Sequence, residues 1–376
     1  MIRTNCVICT NKISHIYKLS SIPLASSVTE MPICNFDDLS YSICSTCSTI
    51  QLDKLIPLHI LYGKSHNFSS VGEIWKNHFL FFSEKIEDII NDKIVMEIGC
   101  PTGKIANLCC NYKKWYAVEP NINTDSYKLQ NINFIREFFD DNITNLVNEK
   151  IDVILHSHLF EHIYEPNIFL KNCFDLLSDD GEMFFSVPNM QFMADNSIVP
   201  FFGVFFEHTI FLNKENITYL LEVNKFIIVD IFYYKNHSIF FHVKKNKEIT
   251  KPKFITNISD INKFNNNITY YNEFILKCKY QISKIQNQYK NIYIFGAYYN
   301  TQILLAMGLN DINIFGILDN CIEKQNKYLY GYDILIKSPN ILKNEDSIVI
   351  LKNGVYSNEI YEQIININKN TYIINF

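Results

Sequence analysis

No uncharged apolar run in the sequence approaches the roughly 18 residues that a bilayer-crossing helix needs, so no membrane span is expected. The first residues, MIRTNCVICTNK, lack both an apolar core region and a small-residue cleavage site. That absence predicts a protein that is not secreted and resides in a reducing cytoplasm. The formal net charge of -5 supplies no overall basic field, which removes the support for general nucleic-acid binding and leaves a small anionic substrate open. Short-period repeats and low-complexity segments are missing as well.

What is present is a 376-residue chain, too long for one ordinary core and long enough for two or three domains. Hydrophobic residues at 48% and charged residues at 19% are the composition of a globular protein. Eleven cysteines in a reducing compartment read as metal ligands and buried thiols rather than as a disulfide framework. Four of them form two C-x2-C pairs, Cys6/Cys9 and Cys44/Cys47, with 34 residues between the pairs. Such knuckles place two thiolates each around one tetrahedral zinc ion, and four thiolates close its coordination sphere, so a structural role is expected. The alternative is four core thiols.

Three domains are expected, over residues 1–66, 67–248 and 249–376. Apolar residues recur at helical spacing from Phe68 to Asn91. Short β-rich runs then alternate with helical stretches: KIVMEIG, KWYAVEP, DVILHS, GEMFFSVP, KFIIVDIF and SIFFHV. This predicts an α/β fold with a mostly parallel sheet and helices on both faces. The polar stretch from Lys247 to Asn266 reads as a linker, followed by a helix from Thr269 to Gln288 and a second alternation, NIYIFGA, INIFGILD, DSIVILK and TYIINF.

Three places concentrate candidate chemistry. In VMEIGCPTGKIA a strand ends at Glu97-Ile98-Gly99 and turns through Gly103 toward an expected helix, where glycines let a ligand approach the backbone. Twenty residues after Gly99 the next strand ends at Glu119, whose carboxylate can accept both ribose hydroxyls. In DVILHSHLFEHIYEP a strand opens onto His156, His158, Glu161, His162 and Glu165 beside the expected cleft, with His158 on the cofactor side and His162 as substrate contact. A histidine packing at a helix start is the other reading of His162. In FFGVFFEHTIFLN the pair Glu207-His208 interrupts an apolar run; a desolvated imidazole beside a carboxylate suits proton transfer, and a satisfied core histidine is the bland alternative.

The E-x-G-x-x-x-G pattern resembles the first motif of class I S-adenosylmethionine (SAM) methyltransferases more than a dinucleotide fingerprint. The order of motifs along almost the whole chain resembles the nucleotide-diphosphate-sugar C-methyltransferases. The resemblance is carried by CVIC, Ile22-Pro23-Leu24-Ala25, CSTC followed by IQL, EIGCPTG, FEHI, EHTIFL, FGAYYN and ILDN. It implies an N-terminal zinc-binding domain, a class I methyltransferase Rossmann-like sheet and a C-terminal Rossmann-like α/β domain, with SAM and zinc as cofactors and a nucleotide-linked keto-sugar as substrate. It further implies His208 as the base that forms an enolate, Glu207 orienting it, and His162 near the sugar. Tyr62, His66 and Phe68 in LYGKSHNFSS would cover the sugar, and Gly296, Ala297 and Asp319 in the last domain would contact the nucleotide, a purely scaffolding turn being the alternative.

Two departures stand out. Pro101 removes a backbone donor from the cofactor loop, and Lys235-Asn236-His237-Ser238-Ile239-Phe240 keeps only the serine of the family's H-G-G-S-x-R. Two rivals follow: O-methylation of a sugar or sugar-phosphate hydroxyl, and a non-catalytic scaffold that retains the fold. The sugar, its nucleotide and the oligomeric state stay open.

Overall fold

The chain begins with an antiparallel hairpin, β1 (Ile13–Pro23) on β2 (Phe36–Cys44), to which β3 (Ile50–Leu52) adds an antiparallel third strand. This computed structural model describes residues 1–33, 35–62, 72–128, 131–246 and 259–376, the last range by its backbone alone at 259 and 260. Beyond β3, helix α1 (Glu73–Ile90) buries His78, Phe82, Ile86 and Ile90, a spacing of four that keeps one face on the core.

The central sheet holds β4 (Ile94–Ile98), β5 (Lys114–Val118), β6 (Ile132–Ile135), β7 (Ile151–Ser157), β8 (Leu177–Pro188), β9 (Phe226–Tyr234) and β10 (Ser238–Lys245). Their order is β9-β10-β8-β7-β4-β5-β6. β10 runs antiparallel to both neighbours, and the pairs among β4 to β8 are parallel. The interior of this sheet is apolar because Val95, Met96, Ile154, Leu155, Phe184 and Phe185 are buried on both faces. Helix α2 (Pro166–Leu176) starts on a proline whose missing N–H costs nothing in the first turn. Helix α3 (Lys214–Val223) is capped by the Asn213 side chain, which accepts from the Asn216 amide at 2.8 Å.

Two expectations are corrected here. The helix anticipated after Gly103 is a single 3-10 turn, Ala106–Leu108, and the link from β5 to β6 holds another, Thr124–Ser126. The stretch from Lys247 to Asn266 is not linker throughout: α4 (Ser259–Ile285) already runs through its second part. There Phe264 is fully buried, so this polar sequence still sets one apolar anchor on the helix. The last sheet contains β11 (Asn291–Phe295), β12 (Gly316–Leu318), β13 (Ile336–Lys337), β14 (Ser347–Ile350) and β15 (Tyr372–Ile374), all parallel, in the order β13-β12-β11-β14-β15. Helices α5 (Tyr299–Ala306) and α6 (Ser357–Ile367) belong to it.

The N-terminal sheet and helix α4 meet at the segment 199–213. Leu52 donates to the Thr209 carbonyl at 2.9 Å and Phe211 to the Ile50 carbonyl at 2.9 Å, so β3 holds this segment by backbone pairing. Upstream, Phe201, Phe202 and Gly203 have φ of 51°, 59° and 75°. Two phenylalanines in the left-handed region cost roughly 1–2 kcal/mol each and persist only when surroundings fix them. Buried Asn267 of α4 does so: it accepts from the Phe201 amide at 2.8 Å and donates to the Val199 carbonyl at 3.1 Å. The Tyr41 ring of β2 stacks on Phe201 with centroids 5.1 Å apart.

Arg3 ties the same region together. Its guanidinium donates to the carbonyls of Tyr164 at 2.6 Å, Leu52 at 3.3 Å and Thr209 at 3.4 Å. Burial lowers its pKa to about 10, which leaves it charged at neutral pH. Arg3→Met keeps the stem and strands these carbonyls; by the magnitude of hydrogen bonds to charged groups it is expected to cost about 3 kcal/mol. Urea denaturation of the full chain checks this, and an unchanged midpoint would show that the clamp is dispensable.

Candidate active site

Polar side chains collect at the carboxyl ends of β4, β5 and β7, where an open α/β sheet presents its crevice. Glu97 ends β4 with its carboxyl buried; Oε2 has no hydrogen-bond partner, and desolvation pushes the pKa from 4.5 up to about 8. Gly99 follows at φ 75°, donating to the Val118 carbonyl at 2.9 Å. A Cβ at Gly99 would lie 3.0 Å from Leu159 Cδ1, so the loops after β4 and β7 approach closely there. Glu119 ends β5 half-buried, Oε1 accepting from the Asn121 amide at 2.9 Å, and burial raises its pKa. Asn121 in turn donates to the Tyr62 carbonyl at 3.0 Å, which brings the N-terminal unit to the crevice.

Gly103 owes its conformation to the chain itself. A Cβ there would meet the Tyr127 ring at 2.4 Å, and the Tyr127 hydroxyl donates to the Cys100 carbonyl. The Pro101 carbonyl accepts from the Asn123 amide at 2.8 Å. With no long helix behind it, this loop is held by side chains rather than by a helix terminus. An adenosyl group still fits the set as a whole: a partnerless carboxylate oxygen at Glu97, a left-handed glycine at 99 and a rim carboxylate at Glu119.

Next to this crevice lies a chain of exchangeable protons. The Tyr62 hydroxyl is 2.8 Å from His162 Nδ1, and His162 Nε2 is 3.2 Å from His208 Nε2. The Gly203 backbone beside the His208 ring acts in the opposite direction to burial, favouring the charged form. A proton order that fits these two contacts has Tyr62 donating to His162 Nδ1 and His162 Nε2–H donating to His208 Nε2. Burial, then the neighbouring His162, lowers the His208 pKa well below the ordinary histidine value, so the ring is neutral. Burial raises Tyr62 well above the ordinary phenol value, with Glu207 the first charge to add to it.

Glu207 is buried and its Oε1 accepts from the Ser26 amide at 3.1 Å. On the other side of His208, Phe205 stacks on Tyr299 of α5 at 4.0 Å and 2°. His158 Nε2 is 2.8 Å from Ser238 Oγ, with Trp75 edge-on to its ring at 4.7 Å. His156 lies in the core rather than in the crevice: it stacks on Phe185 at 4.6 Å, neither ring nitrogen has a partner, and burial lowers its pKa to about 3. His66 and Phe68 lie outside the described residues.

Sequence reasoning placed Glu161 beside the cleft but gave it no role. It is buried, its Oε2 has no partner, desolvation lifts its pKa to about 8, and one of its oxygens lies within 4.8 Å of nitrogens of both His162 and His208. Its one available signal was a lone acid inside the apolar run HLFEHI. Tyr299 carried no signal at all, because its place at the site depends on how the last sheet docks.

At the opposite end of the N-terminal unit the four cysteine sulfurs lie within 4.8 Å of one another, all buried and unpaired by disulfides. Cys6 Sγ is 3.6 Å from Cys47 Sγ, and Cys9 Sγ is 3.4 Å from Cys44 Sγ. The amides of Thr46 and Cys47 point at Cys44 Sγ from 3.4 and 3.5 Å. In the C-terminal unit the nucleotide-like turn is occupied by its own residues. Asp319 accepts from the amides of Ala297 and Cys321, each at 2.8 Å, and lies 3.6 Å from Lys324 Nζ. A Cβ at Gly296 would meet Asn353 at 2.4 Å and Tyr298 at 2.5 Å. These polar groups brace the turn at Gly296, Ala297 and Asp319.

The seven-stranded order, its one antiparallel strand and the acids ending β4 and β5 define a class I methyltransferase domain of Rossmann-like type. Residues 71–229 match a family model described as a methyltransferase domain, so the central unit is a methyltransferase domain. No curated protein matches the chain. Among solved structures it is similar to an N-methyltransferase from Bradyrhizobium japonicum, at 13% identity and TM-score 0.33 over 46% of this chain and 94% of that one. It is also similar to magnesium protoporphyrin IX methyltransferase from Synechocystis with bound S-adenosylhomocysteine, at 12% identity and TM-score 0.36 over 49% and 91%. A SAM-dependent methyltransferase from Clostridium acetobutylicum gives 14%, 0.34, and 46% and 91%. Among the described residues no helix is long and apolar enough to cross a membrane.

Glu97 and Glu161 keep protons when folded that the unfolded chain releases above its ordinary 4.5, so each lowers stability as pH rises from there to about 8. Glu97→Gln is expected to flatten that part of the stability profile, leaving the share due to Glu161. Melting curves between pH 5 and 8 measure it; an unchanged slope would mean that Glu97 is ionised in the fold.

Proposed function

We propose that the chain methylates a carbon next to the ketone of a nucleotide-linked sugar, with SAM as donor and His208 as base. The Tyr62–His162–His208 chain carries this reading, because in that proton order His208 Nε2 is the accepting nitrogen. SAM supplies a methyl group already activated as a sulfonium. The protein then has to hold donor and acceptor in line and remove one proton. A substrate C–H would replace the His162 N–H at His208 Nε2, and its proton would pass to that nitrogen with the bonding pair left on the carbon as an enolate. That carbon would then take the methyl from bound SAM as the sulfur–methyl bond breaks and S-adenosylhomocysteine leaves. Glu97, Gly99 and Glu119 are assigned to the SAM side and Tyr62 and His162 to the sugar side, while Glu207 Oε1 is held by the Ser26 amide rather than by the base.

In this reading residues 1–66, 67–248 and 249–376 are a zinc-binding, a methyltransferase and a supporting unit. The sulfur separations of 3.4 and 3.6 Å approach the roughly 3.8 Å edge of a tetrahedral zinc–thiolate site. Cys9→Ser with Cys44→Ser is expected to remove the thiolate-bound zinc and lower the melting temperature, read by elemental analysis and calorimetry. Undiminished zinc would contradict the assignment.

One observation favours a second reading, O-methylation of a sugar hydroxyl. The segment carrying the departure from H-G-G-S-x-R turns His237 and Ser238 onto each other, Nδ1 to Oγ at 2.6 Å, with both residues buried. NMR of the product distinguishes methyl on carbon from methyl on oxygen. For either acceptor, His208→Ala is expected to lower turnover by about 10²–10⁴-fold, the usual worth of a positioned base. The low pKa of His208 keeps the base unprotonated as pH falls through 6.5, so its ionisation should cause no loss of rate there. Normal turnover by the variant would remove His208 from the mechanism.

A further inference from the structure

A second histidine cluster adjoins the Tyr62–His162–His208 chain through Glu161. His78 comes from α1, His158 from the end of β7 and His237 from the turn between β9 and β10, and their ring nitrogens reach within 4.8 Å of one another. Three nitrogens converge on a single atom, Ser238 Oγ: His78 Nδ1 at 3.1 Å, His158 Nε2 at 2.8 Å and His237 Nδ1 at 2.6 Å.

The far nitrogens are equally ordered. His78 Nε2 is 2.9 Å from Ser157 Oγ and 3.4 Å from Ser186 Oγ, His237 Nε2 is 3.2 Å from the Tyr356 hydroxyl, and His158 Nδ1 is 3.7 Å from Glu161 Oε1. Each imidazole thus presents one nitrogen inward and sets the other against an oxygen. An oxygen behind a histidine is what fixes the tautomer of a metal ligand, with the inner nitrogen bare. Hydrogen counting points the same way. If the three outer nitrogens carry the protons, three lone pairs face one hydroxyl, which has one hydrogen to give. A cation satisfies all three at once.

We infer that His78, His158 and His237 form a binding site for a divalent, imidazole-preferring metal ion of the zinc type, with an oxygen in its fourth position. Ser238 Oγ is an oxygen within reach of all three inner nitrogens. A tetrahedral ion at roughly 2.0–2.1 Å from each nitrogen brings the nitrogens to about 3.3 Å apart, a closure within the reach of side-chain rotation. Trp75 shields the site, edge-on to His158 and His237 at 4.7 Å each. The ion would join α1, the end of β7 and the β9–β10 turn, with Tyr356 of the last unit behind it.

X-ray absorption at the zinc edge on the full chain, loaded with zinc and freed of excess, tests the site. Wild type is expected to show a nitrogen/oxygen shell, beside any sulfur shell from the cysteine cluster. His78→Ala and His237→Ala should each lose the nitrogen shell, one zinc equivalent fewer than wild type, and Ser238→Ala should keep it. Cobalt loading gives an independent reading, since thiolate and imidazole–oxygen sites differ in their visible spectra. A wild-type spectrum of sulfur ligation alone would overturn the inference whether or not the variants fold. So would a nitrogen shell that survives both histidine changes. Nitrogen ligation without sulfur would support this site while contradicting zinc at the cysteines, so the two assignments fail separately.

Discussion

The arrangement of the candidate site depends on one buried guanidinium. Arg3 donates to the carbonyl two residues after His162 and to the carbonyl directly after His208. A charged donor shared by both backbones fixes the gap between two rings that come from different loops. The same cation reaches the Leu52 carbonyl in β3, the strand whose pairing with Thr209 and Phe211 sets the direction of the His208 segment. From the other side Asn267 of α4 locks the left-handed turn at Phe201 and Phe202. The histidine pair therefore sits where β3, α4 and the loop after β7 come together, and it is made by packing as much as by local sequence.

The price of that position is an unusual load of buried polar groups. Glu97, Glu161 and His156 lie in the interior with partnerless atoms, and burial drives each toward its neutral form. Neutral groups cost far less to bury than ions. Glu161 lies between the two histidine clusters, 3.7 Å from His158 and close to His162 and His208, so a change in either cluster is felt at its carboxyl.

Much of this was legible in the sequence wherever a residue's role is set by its neighbours in the chain. The two C-x2-C pairs and the acids ending β4 and β5 stand out because they interrupt apolar runs at fixed offsets. Strand β6 was missed because half-buried Ile132 and Ile135 flank exposed residues in a short edge strand. The helix after Gly103 was inferred from the usual loop, whereas Tyr127 and Asn123 hold this loop without one. Left-handed backbone at two phenylalanines has no sequence signal, since the residue type argues against it. The meeting of His162 with His208, 46 residues apart, is decided by tertiary pairing.

The account stands on adenosyl recognition at the ends of β4 and β5. Titration calorimetry of the full chain with S-adenosylhomocysteine addresses it most directly. The account predicts one saturable site that weakens at least tenfold, about 1.4 kcal/mol, when Glu119 is replaced by alanine. Absence of binding heat at millimolar ligand, together with no shift of the melting temperature, would contradict it.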